Sequence, residues 1–312
     1  MPRSLFVFLI AAGCLIPVYS KKSNPFVGRW DIEVSPAGSG SGYPDWMEVA
    51  DKDGATTLRI QPRSGSAFTA TDFKIAGSHL SVTWPRADTK APVITWELDL
   101  TESRINGVER RGGAVVAYLA GVRAPALNRK PPAEWGDPHA LFTGTTLAGW
   151  EPTGSAKNNW TAKDNELVNQ AAGANLKTSR AFNDFKLHVE FNCPNEGNSG
   201  IYLRGRYEVQ IEYQAVDSGD PLHAMGSIYG FVAPTINVAR KPATWESFDI
   251  TLVGRRVTVF RNRIKTIDNQ EIPGPTGGAL DANEIEPGPF YLQGDHTGGM
   301  RFRNITVQVP KK

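Results

Sequence analysis

Two stretches in the second half of this chain place an apolar residue at every other position: Phe185, Leu187, Val189 and Phe191, then Tyr207, Val209, Ile211 and Tyr213. Period two is the spacing of a β-strand with one face on a core. A helix would repeat its apolar positions every three or four residues. Phe248-x-Ile250-x-Leu252, Val257-x-Val259 and Ile305-x-Val307-x-Val309 repeat the pattern. The first half holds shorter runs: Phe26–Val34, Trp46–Ala50, Thr57–Ile60, Phe68–Ile75, Leu80–Trp84, Val93–Leu100 and Ala114–Leu119. Turn pairs punctuate them, at Asp53-Gly54, Ser64-Gly65, Ala76-Gly77, Asn106-Gly107 and Gly112-Gly113. The expectation is an all-β chain. A small N-terminal barrel or sandwich, lipocalin-like at best in its Gly28-x-Trp30 opening, precedes a two-sheet antiparallel jelly roll.

A length of 312 residues fits two domains. The break falls between Arg123 and Pro138, where four prolines and no periodicity read as a stiff linker. The expected divisions are a leader over 1–20, a barrel-like module over 21–122, the linker over 123–137 and the second domain over 138–312. Lys and Arg total 34 against 32 Asp and Glu, a net charge of +2, which argues against a nucleic-acid partner.

The first twenty residues read as an export signal: Arg3, the apolar run Leu5–Ile16, then Val18-Tyr19-Ser20 ahead of Lys21-Lys22. A periplasmic or secreted location is therefore expected. The alternatives are a lipoprotein, with Ala11-Ala12-Gly13 before Cys14, or an uncleaved anchor. Removal of the leader leaves Cys193 as the lone cysteine, without a disulfide partner, and its expected role is a small buried apolar residue.

The chemistry collects in the second half. Glu208, Gln210 and Glu212 share one face of their strand, which reads as the polar floor of a cleft or as a solvated face with ion pairs. Lys186, His188, Glu190 and Asn192 line the outer face of the neighbouring alternating strand. Tyr202 and Arg204 precede the short connection Gly205-Arg206, so a hairpin is expected to bring Arg204 beside Glu208. There it would form a structural ion pair or hold an oxyanion. Tyr291 and Gln293 share a face just before His296, a general acid or base if it faces the site and plain surface otherwise. Asp217–Asp220 lacks calcium-loop spacing and reads as a turn. No HExxH, CxxC, P-loop or GxSxG motif occurs, which removes support for zinc proteases, nucleotide enzymes and α/β-hydrolases.

Several ordered motifs carry a family resemblance over about residues 138–310: Leu141-Phe142-Thr143-Gly144, Leu147-x-Gly149-Trp150, Asn198-Ser199-Gly200-Ile201-x-x-Arg204, Tyr207–Ile211, Gly226-Ser227-Ile228-Tyr229-Gly230, Leu292-Gln293 and Phe302-Arg303-Asn304-Ile305. They resemble the domain-of-unknown-function 1080 family, also called the 3-keto-disaccharide hydrolase domain. Where members commonly read Gln-Asp-His-Gly, this chain reads Gln293-Gly294-Asp295-His296-Thr297-Gly298, with one residue inserted ahead of the Asp-His pair. The resemblance implies a concanavalin A-like jelly roll acting on glycosides whose sugar is oxidised at C3. It also implies a sugar 3-dehydrogenase upstream.

A 3-keto group acidifies the C2 hydrogen, so a base can form an enolate whose collapse expels the C1 substituent. Water adds afterwards. The expected roles are Glu208 or His296 as base or acid and Arg204 as enolate stabiliser. Glu190, Asn198, Tyr202, Gln210, Tyr229 and Gln293 are the expected sugar ligands. The sequence requires no cofactor; a divalent metal on the ketone is the alternative to Arg204. Two other readings stand beside this one. Glu208-Val-Gln210-Ile-Glu212 is similar to the Glu-x-Asp-x-Glu strand of laminarinase-like glycosidases, with Gln210 in place of the central acid. A carbohydrate-binding module would instead use Trp150, Trp160 and Tyr202 to stack on sugars.

Overall fold

Trp30, Ile32 and Val34 turn inward from the strand Gly28–Pro36 because alternate side chains of a strand share a face, and all three are fully buried. The computed structural model describes residues 24–86, 88–213, 219–236, 238 and 243–311. The expected leader, including Cys14, and Asp217 and Ser218 of the Asp217–Asp220 turn lie outside them. Among the described residues no helix is long and apolar enough to cross a membrane.

Gly28–Pro36 sits at the middle of a nine-stranded antiparallel sheet. On one side follow Tyr43–Lys52, Ala55–Gln61 and Phe68–Ala70; on the other, Ala114–Arg123, Arg104–Arg111, Ile94–Thr101, His79–Thr83 and Asp72–Ala76. First and last strands pair, so the sheet curls around one core of Trp30, Met47, Leu58, Ile60, Trp96, Leu98 and Ile105, nearly closing a barrel. The expected run Phe68–Ile75 is in fact two strands, lying on the two open edges of that sheet. A strand over Arg104–Arg111 also replaces the turn expected at Asn106-Gly107. Gly107 is there for close packing: a Cβ on it would meet the Glu97 carbonyl oxygen at 2.2 Å and Leu98 at 2.7 Å.

The second half is a β-sandwich of two antiparallel sheets, eight-stranded and five-stranded. The alternating strands supply its shared core. Phe185, Leu187, Val189 and Phe191 come from one sheet, and Ile201, Leu203, Tyr207, Val209 and Ile211 from the other. Cys193 is buried. The segment expected as a linker lies against this sandwich: Leu127 is largely buried, and Arg255 donates to the Pro125 carbonyl at 2.7 Å.

The strand Tyr207–Glu212 is the one that matters for function. Glu208 and Gln210, on the face away from the core, are as inaccessible as Val209 and Ile211. Part of that cover comes from the barrel. Trp46 points out of it, 5.4 Å from the Phe231 ring and edge-on, and packs on Gly274, where a Cβ would stand 2.3 Å from the indole. Arg29 pairs with Glu271 at 2.5 Å across the same seam.

Candidate active site

Three strands of the five-stranded sheet lay out the floor. Register places Tyr291, Tyr202 and Glu208 side by side, and in the next row Gln293, Gly200 and Gln210. Gly200 leaves the middle of that second row empty, and Glu208 leans over it. A Cβ there would lie 2.1 Å from Glu208 Oε1. The floor opens into a cleft of about 630 Å³ lined also by Asn198, Tyr229, Asp295 and His296.

Glu208 is 4% exposed. Burial pushes its carboxyl up to about 8, against the opposing pull of the Tyr202 hydroxyl and His296. It is therefore mostly protonated at neutral pH. The Tyr202 hydroxyl lies 2.9 Å from Glu208 Oε2 and 2.9 Å from the Gly277 carbonyl oxygen, but it has one proton to give. While Glu208 is protonated it donates to Tyr202, which donates to Gly277; ionised, Glu208 claims the tyrosine proton.

His296 lies at the cleft mouth, about half exposed, with Nδ1 2.6 Å from Asp295 Oδ1. That hydrogen bond raises the imidazole above its ordinary value and leaves Nε2 as the ring nitrogen free to turn to a ligand. Burial alone would raise Asp295. The hydrogen bonds from His296 and Asn175 outweigh it and hold the carboxylate below its usual range. Gly294, the residue inserted ahead of Asp295-His296, donates its N–H to Asn175 Oδ1 at 2.6 Å and so ties the turn to the floor.

Two further atoms have the character of ligand sites. Gln210 Oε1 and Gln293 Oε1 are buried acceptors without a hydrogen-bond partner, on residues that line the cleft. Such atoms cost stability unless something fills the site and donates to them. A sugar hydroxyl is the right size and chemistry.

Two expected site residues are elsewhere. Arg204 adopts φ +54° at the start of a turn over 204–206, which breaks the alternation that would have set it beside Tyr202 on the cleft face. Its fully buried guanidinium instead donates to the Tyr207 hydroxyl at 2.9 Å, the Gly254 carbonyl at 2.8 Å and the Glu284 carbonyl at 3.2 Å. Glu190 belongs to the eight-stranded sheet and turns outward, paired with Arg303 at 2.6 Å and Asn304 at 2.8 Å. Glu212 accepts from Gln210 Nε2 at 3.0 Å and is not among the residues lining the cleft. Trp150 and Trp160 are core aromatics. Among the described residues no three His, Cys, Asp or Glu side chains group as a metal centre.

Tyr43 and Arg63, from the barrel, form part of the cleft wall and were not expected there. Nothing local in the sequence joins residue 63 to residue 208; only docking of the barrel does.

The profile of the 3-keto-alpha-glucoside-1,2-lyase-like domain matches residues 137–308. The chain belongs to this family. The lyase-like domain thus takes in both sheets of the sandwich and leaves the nine-stranded sheet outside. It makes the chain a carbohydrate-active, glycoside-acting enzyme in class. The lyase-like chain is similar in structure to a candidate glycosyl hydrolase of Parabacteroides distasonis, 27% identical over 58% of this chain and 93% of that one, with a TM-score of 0.49. A second such protein of the same organism is 19% identical over 55% and 92%, with a TM-score of 0.46. A carbohydrate-binding module of Bacillus subtilis is 12% identical over 54% and 99%, with a TM-score of 0.31. No curated protein matches the chain.

Proposed function

We propose that this enzyme cleaves 3-keto-glycosides by elimination. The observation that carries the reading is the pairing, in one sugar-sized cleft, of a buried carboxyl held protonated with a histidine oriented by a carboxylate. Elimination asks for one group of each kind. His296 takes the C2 hydrogen as a proton, and the C2–H electrons form an enolate with the C3 oxygen. The enolate collapses to restore the C3 ketone, a C1–C2 double bond forms, and the C1–O bond breaks. Glu208 gives its proton to the departing oxygen. Water adding across the double bond completes net hydrolysis.

The enolate oxygen falls to the hydroxyls of the floor, Tyr291 foremost, since Arg204 is committed to the hairpin. Gln210 and Gln293 accept from sugar hydroxyls, with Asn198, Tyr202 and Tyr229 around them. The proposal includes export, on the leader-like first twenty residues, and a sugar 3-dehydrogenase as the source of substrate.

Proton NMR in deuterated buffer tests this, with a 3-keto-disaccharide beside the same sugar unoxidised. The expected result is cleavage of the keto form alone, with deuterium at C2 of recovered substrate or product. Cleavage of the unoxidised sugar sinks the proposal and moves the chemistry to a direct glycosidase. Binding without product from either sugar leaves a carbohydrate-binding role.

A further inference from the structure

The sandwich side of the cleft carries the charged Asp295, and the guanidinium of Arg63 brings the opposite charge from the barrel. Among the described lining residues Arg63 is the only arginine or lysine. Its backbone is pinned. Gln61 Nε2 donates to the Pro62 and Gly65 carbonyls at 2.8 Å each, and the Arg63 carbonyl accepts the Gly278 N–H at 2.7 Å. The guanidinium rests 4.8 Å from the centre of the Tyr43 ring and makes no ion pair with a described carboxylate. A rigid loop thus presents a stacked cation whose donors are uncommitted, the arrangement of a recognition arginine.

The loop is also coupled to the acid. Gly277 and Gly278 form the seam: a Cβ on Gly277 would meet the Gly65 carbonyl oxygen at 2.7 Å, and one on Gly278 would meet the Tyr202 hydroxyl at 2.4 Å. From Arg63 the path runs through this seam to Tyr202 and then to Glu208. The arginine therefore lies on the acid's side of the cleft, where the departing half of the substrate, protonated by Glu208, must sit.

Resting on the elimination reading above, we propose that the barrel supplies the leaving-group subsite, with Arg63 on its Tyr43 shelf selecting a leaving group that carries a carboxylate. The guanidinium fork matches a carboxylate with two parallel hydrogen bonds. A neutral leaving group would cover the cation without replacing its water.

The test compares 4-carboxyphenyl and phenyl 3-keto-glucosides as substrates for the wild type, Arg63→Ala and Arg63→Lys, with thermal melting to confirm folding. Arg63 is exposed, so its replacement should leave the fold intact. For the carboxylated substrate Arg63→Ala should raise KM about ten- to a hundred-fold at little cost in kcat, the worth of one charge-assisted pair. The phenyl substrate should change less than about threefold, and Arg63→Lys should restore part of the loss. Equal effects on both substrates, or none on either, overturn the inference while leaving elimination standing. A binding arm separates the two failures: saturation-transfer NMR with the unoxidised 4-carboxyphenyl and phenyl glucosides needs no turnover. Preference for the carboxylated glucoside in the wild type, lost in Arg63→Ala, supports the subsite even if neither keto substrate is cleaved. Equal binding of the two, or none of the carboxylated one, overturns it.

Discussion

Glu208 shows what burial does to a single carboxyl. Its native pKa of about 8 lies above the ordinary 4.5, so folding favours the protonated form. The stability this gives is fully present below the unfolded pKa and is lost as pH rises through about 8. Glu208→Gln keeps the shape and a donor toward Tyr202 without the charge. The variant should melt with the wild type near pH 4 and progressively above it toward pH 9, read by thermal unfolding across that range. Its turnover of a 3-keto-glycoside should fall by about 10²- to 10⁴-fold, the usual contribution of a positioned acid. Much of this site was legible beforehand. Glu208 and Gln210 follow from strand alternation, Tyr202 from its hairpin strand, Gln293 from its family motif, and His296 from the turn after it. Arg63 was not legible, because its partners are made by docking and not by neighbours in the chain.

The hairpin Asn198–Glu212 is where alternation stopped being a guide. Counting by twos holds as far as Leu203 and fails at Arg204, whose left-handed backbone turns the side chain to the core face. There the guanidinium closes three hydrogen bonds under the turn and lies 5.1 Å over the Tyr207 ring. Arg204→Ala would leave two buried carbonyls, of Gly254 and Glu284, without that donor. The expected loss is about 2–4 kcal/mol of stability, with turnover per folded molecule within about threefold of wild type. Denaturant unfolding and active-site-normalised kinetics would check both. A large fall in kcat at unchanged stability would return Arg204 to the mechanism. Gly107 carries the same lesson: Asn-Gly ordinarily marks a turn, but here the glycine is selected by contact with the next strand, which no local window reveals.

At the scale of the molecule, the barrel and the sandwich are joined by a buried acid pair as well as by Trp46. Asp31, on the barrel's first strand, hydrogen-bonds Glu284, which also accepts from Arg255 at 2.9 Å and from the Tyr207 hydroxyl at 2.5 Å. Burial, and then the Glu284 charge, raise Asp31 well above its ordinary value, so the contact requires its proton. Its stabilising contribution is complete below the ordinary aspartate pKa and drains away as pH climbs through the raised native one. Asp31→Asn, which keeps a donor toward Glu284, should resist alkaline loosening. Its melting temperature should pull ahead of the wild type between pH 6 and pH 9, with turnover unaffected. The two β halves were visible as alternating runs either side of a proline-rich break; their mutual seating was not, since complementary surfaces leave no period in a sequence. That seating also separates two heritable properties. The groups proposed for proton transfer, Glu208 and His296, belong to the sandwich, while one wall of the cavity is written on loops near Tyr43 and Arg63, more than a hundred positions earlier. A lineage can therefore revise what it accepts by drift in the barrel loops alone, and a library confined to residues 41–44 and 63–65 should sample new preferences without touching the reacting groups.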